Sequence, residues 1–200
     1  RFRLALLYGT LVMALLAMGA PDYRYLARAA PGSEENALIA PLAITNVALN
    51  KPATGSAPCN ANEGPAKAFN GSVSGGNSDK WCSQAGTKFL QVDLGQNFSI
   101  TSFVVRHASA GGEGAGFNTR AFNIQVSANG TNFTSVVSVT NNTQGVTTHP
   151  ISATTARFVR LNITQAEQTN NTTARIYELE VFADVPTGGC SGTNVAQGKA

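Results

Sequence analysis

Histidine and cysteine are scarce in this chain of 200 residues, which holds two His and three Cys. No CxxC or Cys/His pair has the spacing of a zinc site. Neither His107 nor His149 stands in a Ser-His-Asp ordering and no nucleophile elbow is present, so triad chemistry finds no support. Charge is sparse as well: Asp, Glu, Lys and Arg make up 12% of the residues, and the formal net charge is +3. Arg1, Arg3, Arg24 and Arg28 all precede Gly32, so the basic excess belongs to the N-terminal segment and predicts no nucleic-acid surface. Glu113 with Glu178 or Glu180 could be imagined as a glycosidase pair, but that mechanism needs two carboxylates across a cleft, which a small sandwich rarely builds. The chain is therefore expected to be non-catalytic.

What is present first is an apolar run. Arg1 and Arg3 precede an uncharged stretch from Leu4 to Ala20, close to the lower length limit for crossing a bilayer. Ala27-Arg28-Ala29 follows as an A-x-A-like cleavage pattern, so residues 1–30 are expected to form a hydrophobic signal helix or, if uncleaved, a membrane anchor. Export makes a disulfide between Cys59 and Cys82 the expected pairing, since they bracket a Gly- and Ser-rich loop; the alternative is that both are small buried thiols. Cys190 is left over, with its partner expected downstream.

Residues 31–44 mix Gly, Ser, Glu and Pro without periodicity and are expected to be a linker. From Thr45 onward, strand-length segments alternate with period two: Leu90, Val92 and Leu94; Phe122, Ile124 and Val126; Leu179 and Val181. Turn clusters separate them at Leu94-Gly95-Gln96-Asn97, Ala128-Asn129-Gly130-Thr131 and Asn141-Asn142-Thr143-Gln144-Gly145, and no long helical period follows the leader. Phe103-Val104-Val105 and Phe158-Val159-Arg160-Leu161 read as central strands of a two-layer, all-β sandwich. His149, beside Pro150, is expected in an exposed turn. Asn132-Phe133-Thr134 and Asn162-Ile163-Thr164 would be glycosylation acceptors only in a eukaryotic host.

Thr45-Asn46-Val47-Ala48-Leu49-Asn50-Lys51 recurs as Thr193-Asn194-Val195-Ala196-Gln197-Gly198-Lys199, so a second, similar module is expected to start at 193–200. The organisation that follows is a module over 45–185, a linker over 186–192 and the beginning of a downstream module, the whole being part of a longer polypeptide.

Asn46-Val47-Ala48-Leu49-Asn50-Lys51-Pro52-Ala53, Ala68-Phe69-Asn70-Gly71, Lys80-Trp81-Cys82-Ser83, Leu90-Gln91-Val92-Asp93-Leu94-Gly95, Ile124-Gln125-Val126-Ser127-Ala128-Asn129-Gly130, Ala156-Arg157-Phe158-Val159-Arg160-Leu161 and Tyr177-Glu178-Leu179-Glu180-Val181-Phe182 together resemble the coagulation factor V/VIII type C (discoidin) domain. Its carbohydrate-binding relatives are the galactose-binding-like family 32 modules. The resemblance spans Thr45 to Phe182 in the family's order and implies an antiparallel jelly-roll β-sandwich.

The resemblance also implies a structural Ca2+, with candidate ligands in the Lys67, Ser72 and Tyr177 carbonyls, the Asn70 side chain, Asp79 and the Glu178 carboxylate, oxygen donors of the kind a hard cation takes. Asn70 stands where the family usually has Asp, which lowers the ligand charge. For sugar binding, Arg106 matches a family arginine that bonds sugar hydroxyls. His107, the Gly-rich loop carrying Glu113, Phe117, Asn118 and Arg120, and Asn171 in a later loop complete the candidate site. A guanidinium fork and an aromatic face suit a pyranose. Cys82 stands where sugar-binding relatives often have His, so the usual galactose-type constellation is incomplete, and Trp81 is expected in the core. The implied function is a non-catalytic, secreted glycan- or polysaccharide-binding module. The alternatives are an adhesion or phospholipid-binding discoidin module and a spacer without ligand; any other membrane contact is expected only through an uncleaved leader.

Overall fold

The computed structural model describes residues 41–187; the expected leader, Cys190 and the start of a second module lie outside them. Eight strands are present: β1 (Leu42–Asn46), β2 (Ala53–Gly55), β3 (Trp81–Ser83), β4 (Lys88–His107), β5 (Ala121–Ser127), β6 (Thr134–Val139), β7 (Val146–Gln165) and β8 (Ala174–Pro186). All pairings are antiparallel. No helix of the described residues is long and apolar enough to cross a membrane.

The long strands make the sandwich. β4 and β7 pair along both halves of their length, with the register broken between Asp93 and Phe98. One half of this ribbon (88–93 with 158–163) continues into β2, β5 and β6, and the other (98–106 with 146–156) into β8, which carries β1 and β3. The turn expected at Leu94–Asn97 is instead a bulge inside β4. Gly95 takes φ of 88° there and its N–H is held by Asp93 Oδ1 at 2.8 Å, so the chain folds over without ending the strand.

Alternation along β4 buries Leu90, Val92 and Leu94 from one layer; after the bulge Ile100, Phe103 and Val105 point inward from the other. They meet Phe122, Ile124, Val159, Leu161, Leu179 and Val181 in one core, with Phe69 and Trp81 filling it. Trp81 is fully enclosed and its indole N–H donates to the Ser56 carbonyl at 3.4 Å, as a buried Trp requires. Truncating it to Ala would cost roughly 3–5 kcal/mol.

The sheet starts at Leu42, slightly ahead of the Thr45 boundary: Leu42, Ala43 and Ile44 pair with Pro186, Val185 and Asp184. His149 is not in a turn. It lies on β7, half-buried, with its ring edge-on to Phe122 at 5.5 Å.

Candidate functional site

Because the β4–β7 ribbon doubles over, the segments beyond its free ends, 84–87, 108–120, 140–145 and 166–173, gather at one end of the sandwich. Side-chain amides lock them together. Asn118 Oδ1 accepts from Ser109 N at 2.8 Å and its Nδ2 donates to the Thr143 carbonyl at 3.0 Å. Asn142 Nδ2 donates to the Thr119 and Gln144 carbonyls at 2.8 and 3.1 Å. Gln168 Nε2 bridges the Asn118 and Asn142 carbonyls at 2.8 and 2.9 Å. Buried loop backbone must find partners, and here short polar side chains supply them, so the end is preorganised.

Several expected ligand residues are consumed by this framework. Asn118 is fully buried and acts as a strut. His107 is also fully buried; its Nε2 faces Thr147 Oγ1 at 3.2 Å, Nδ1 has no partner, and burial, with nearby His149, pulls its pKa down to about 4. The strand register turns His107 toward Phe122, 5.5 Å away between ring centroids, and the Ser109 and Thr143 bonds hold Asn118 inside the loop framework, so neither side chain is exposed. Arg120 is half-buried and forms no ion pair among the described residues. Phe117 is the exposed large apolar side chain of the 108–120 loop, at 37%, and Asn171 is exposed on the 166–173 loop.

Under Phe117 lies a charge cluster that sequence reasoning did not assemble. Arg175 stacks beneath the Phe117 ring at 4.4 Å and pairs with Glu113 at 3.2 Å and the enclosed Glu167 at 2.8 Å. Lys80, 3% exposed, bridges Glu63 and Glu113 at 3.3 and 3.1 Å, and the Tyr177 hydroxyl donates to Glu113 Oε1 at 3.0 Å. Glu113 thus anchors the loop from within. Burial first, and then the Glu113 carboxylate, push the Tyr177 phenol well above its ordinary value. The disulfide Cys59–Cys82 ties the preceding loop to β3 across 23 residues.

Arg106 borders this end, next to His107 and in register with Val146, but the groove that its side chain lines holds no residue of 84–87, 108–120, 140–145 or 166–173. It projects from the outer face of β4, pairs with Glu180 at 2.6 Å, and lines a groove of about 410 Å³ with Leu49, Gly71, Val73 and Glu178. The constellation expected from the sequence is therefore split: Arg106 sits by the 70–79 loop, while Phe117 and Asn171 sit on the loop end.

In that 70–79 loop, Glu178 Oε1 accepts the backbone N–H groups of Asn70, Gly71 and Ser72 at 3.0, 2.7 and 3.2 Å. Its Oε2 is buried without a partner. Burial lifts its pKa to about 7 against the pull of those N–H groups. Asp79 accepts from the Asn70 amide at 2.7 Å, the Ser72 hydroxyl at 2.6 Å and Gly75 N at 2.9 Å. Lys67 lies in the 3₁₀ turn just before, and Tyr177 precedes Glu178 on β8. The loop turns backbone N–H groups toward Glu178 Oε1 and meets Asp79 with donors, so the feature that fits a hard divalent cation is the unpartnered Glu178 Oε2 together with the Asp79 carboxylate on that loop.

A second cavity, of about 310 Å³, opens between the segments 84–88 and 163–172, lined by Lys88, Gln165, Thr169, Asn170, Asn171 and Thr172 among others. Lys88, 7% exposed, was also missed.

Solved structures share this fold. A chitosan-binding module from a chitosanase/glucanase of Paenibacillus sp. IK-5 is 27% identical with a TM-score of 0.58, covering 68% of this chain and 98% of that one. The family 32 carbohydrate-binding module of Streptococcus pneumoniae EndoD is 24% identical with a TM-score of 0.59, covering 68% and 98%. A Clostridium perfringens module in complex with GalNAc-β-1,3-galactose is 20% identical with a TM-score of 0.58, covering 70% and 100%. No curated protein matches the chain. The sequence model of the F5/8 type C domain matches residues 52–179, and the chain belongs to that family, the non-catalytic discoidin domains.

Proposed function

We propose that this chain is a glycan-binding module of a secreted, multi-modular protein, and that its glycan contacts are made by the loop end carrying Phe117 and Asn171. One observation carries the reading: an exposed aromatic ring backed by a half-buried guanidinium, on loops cross-linked by the Asn118, Asn142 and Gln168 amides. An aromatic face packs on the C–H side of a pyranose and neighbouring amides and hydroxyls take its hydroxyls, while rigid loops reduce the entropy lost on binding. The 27% identity to a module that binds a polysaccharide supports a glycan as the ligand, without fixing its charge. A glycan array probed with the full chain, followed by titration calorimetry of Phe117→Ala on any hit, tests it. Phe117→Ala is expected to weaken the hit roughly tenfold with unchanged melting temperature; unchanged affinity overturns the placement, and no hit on the array overturns the function.

The 70–79 loop is proposed to hold a structural Ca2+ through the Asp79 and Glu178 carboxylates, the Asn70 side chain and the Lys67, Ser72 and Tyr177 carbonyls. The orphaned Glu178 Oε2 supports it. Calcium added to chelator-treated protein is expected to raise the melting temperature and to lose that effect in Glu178→Gln; absence of any heat or shift in the unaltered chain rejects it.

A further inference from the structure

The two lysines that the fold buries are treated differently. Lys80 is 3% exposed and is neutralised from two sides, by Glu63 and Glu113 at 3.3 and 3.1 Å. Lys88 is 7% exposed, yet it forms no ion pair and no side-chain hydrogen bond among the described residues. The stem of Lys88 is covered, but its ammonium is not among the enclosed side-chain atoms that lack a partner: it meets solvent in the cavity of about 310 Å³ that it lines, where an anion can reach it without displacing a carboxylate.

The lining is otherwise uncharged. Gln165, Thr169, Asn170, Asn171 and Thr172 bring amides and hydroxyls, Ile163 and Ala166 bring apolar surface, and no carboxylate lines the cavity. The closest carboxylate in sequence to the 169–172 stretch, Glu167, is enclosed and committed to Arg175 Nη1 at 2.8 Å and the Thr169 hydroxyl at 2.9 Å. A lone ammonium among polar donors and acceptors recognises an anionic group on an otherwise hydroxylated ligand.

We propose that this cavity makes the module selective for acidic glycans, with Lys88 pairing to a carboxylate or sulfate ester on the sugar and the Thr169–Thr172 stretch taking adjacent hydroxyls. The inference rests on the glycan-binding reading above and names its ligand class. It also predicts discrimination against cationic glycans such as chitosan, whose amines would face Lys88.

Calorimetric titration of the full chain at about 0.15 M salt, where the Debye length is about 8 Å, tests it. Polygalacturonate is compared with its methyl-esterified form, and dextran sulfate with dextran, so that the two anion sources are separated. An acidic polymer is expected to bind roughly tenfold or more tighter than its neutral counterpart, the size of a charge-assisted contact to an otherwise unpaired group. Lys88→Met is expected to erase the difference and Lys88→Arg to keep it. Asn170→Asp, an exposed position that leaves the core untouched, is expected to erase it by placing a carboxylate beside Lys88. Lys51→Met, the same charge change away from the cavity, is expected to preserve it. Equal affinity for acidic and neutral polymers, or an equal loss in Lys51→Met, overturns the inference and leaves the glycan-binding reading standing. Binding to no polymer of either kind overturns both.

Discussion

Acidifying the calcium-free protein should leave its stability almost flat between about pH 4.5 and 6.5, because two buried groups titrate there with opposite effect. His107 is fully enclosed and burial lowers its pKa from 6.5 to about 4. Below pH 6.5 the unfolded chain takes up a proton that the folded state refuses, so stability falls with pH until about pH 4. A depression of that size corresponds to about 3 kcal/mol. Glu178 is 2% exposed and burial raises its pKa from 4.5 to about 7. Here the folded state keeps a proton that the unfolded chain has lost, so its stabilisation is complete below pH 4.5 and disappears as pH rises through about 7. That effect is also about 3 kcal/mol, with the reverse slope. Half-buried His149 is shifted down by burial and adds to the His107 side. Asp93, held below the ordinary range chiefly by Arg157, acts only at lower pH.

Urea unfolding in chelator at several pH values between 4.5 and 7.5 separates the two. His107→Gln, whose amide can still meet Thr147, should become more stable on acidification by up to about 3 kcal/mol relative to its value at pH 7.5. Glu178→Gln should lose stability over the same range. Parallel profiles for the unaltered protein and both variants would refute the assignment of these groups as the buried titrating pair.

Gly111→Ala should lower stability by about 1–3 kcal/mol in urea, because a Cβ there would collide with the Tyr177 ring and displace it from Glu113. Reduction of Cys59–Cys82 opens a loop of 23 residues and should cost about 3 kcal/mol, read as a lower urea midpoint. Asn142→Ala removes donors to the Thr119 and Gln144 carbonyls and should speed hydrogen exchange in 108–120 and 140–145 while the β4–β7 core keeps its protection.

The strands were legible because each is half-covered: Leu90, Val92 and Leu94 alternate with polar residues as the pleat dictates. The unbroken passage of β4 through Leu94–Asn97 was not, since Gly-Gln-Asn marks a tight turn and a bulge equally well; the choice is made by pairing with β7, remote in sequence. The 108–120 loop could be located, and Phe117 is exposed on it. Asn118 and His107 could not be sorted from it, because their burial depends on Thr143 and Thr147, and a polar residue in a loop reads as exposed until its partner is known. Lys88 escaped for the same reason: pairing with Ile163 and cover from the 163–172 segment turn an ordinary strand-edge lysine into a buried one.

The two sites are joined by one strut, with a functional consequence. Glu178 is held by Asn70, Gly71 and Ser72, beside the Arg106 groove, and the loop end is fixed by its own amides and by the Glu113 and Arg175 pairs. Lys80 links them: its ammonium donates to the Asn77 carbonyl at 2.6 Å and pairs with Glu113 at 3.1 Å, and the hydroxyl of Tyr177, the neighbour of Glu178 on β8, donates to Glu113 at 3.0 Å. Groups that share partners couple, ordinarily by about 0.5–3 kcal/mol. Calcium in the 70–79 loop should therefore raise the melting temperature and also strengthen glycan binding by roughly twofold or more. Calorimetry on one glycan with and without chelator measures this, and an affinity unchanged by chelation would show that the Lys80 strut does not carry the coupling.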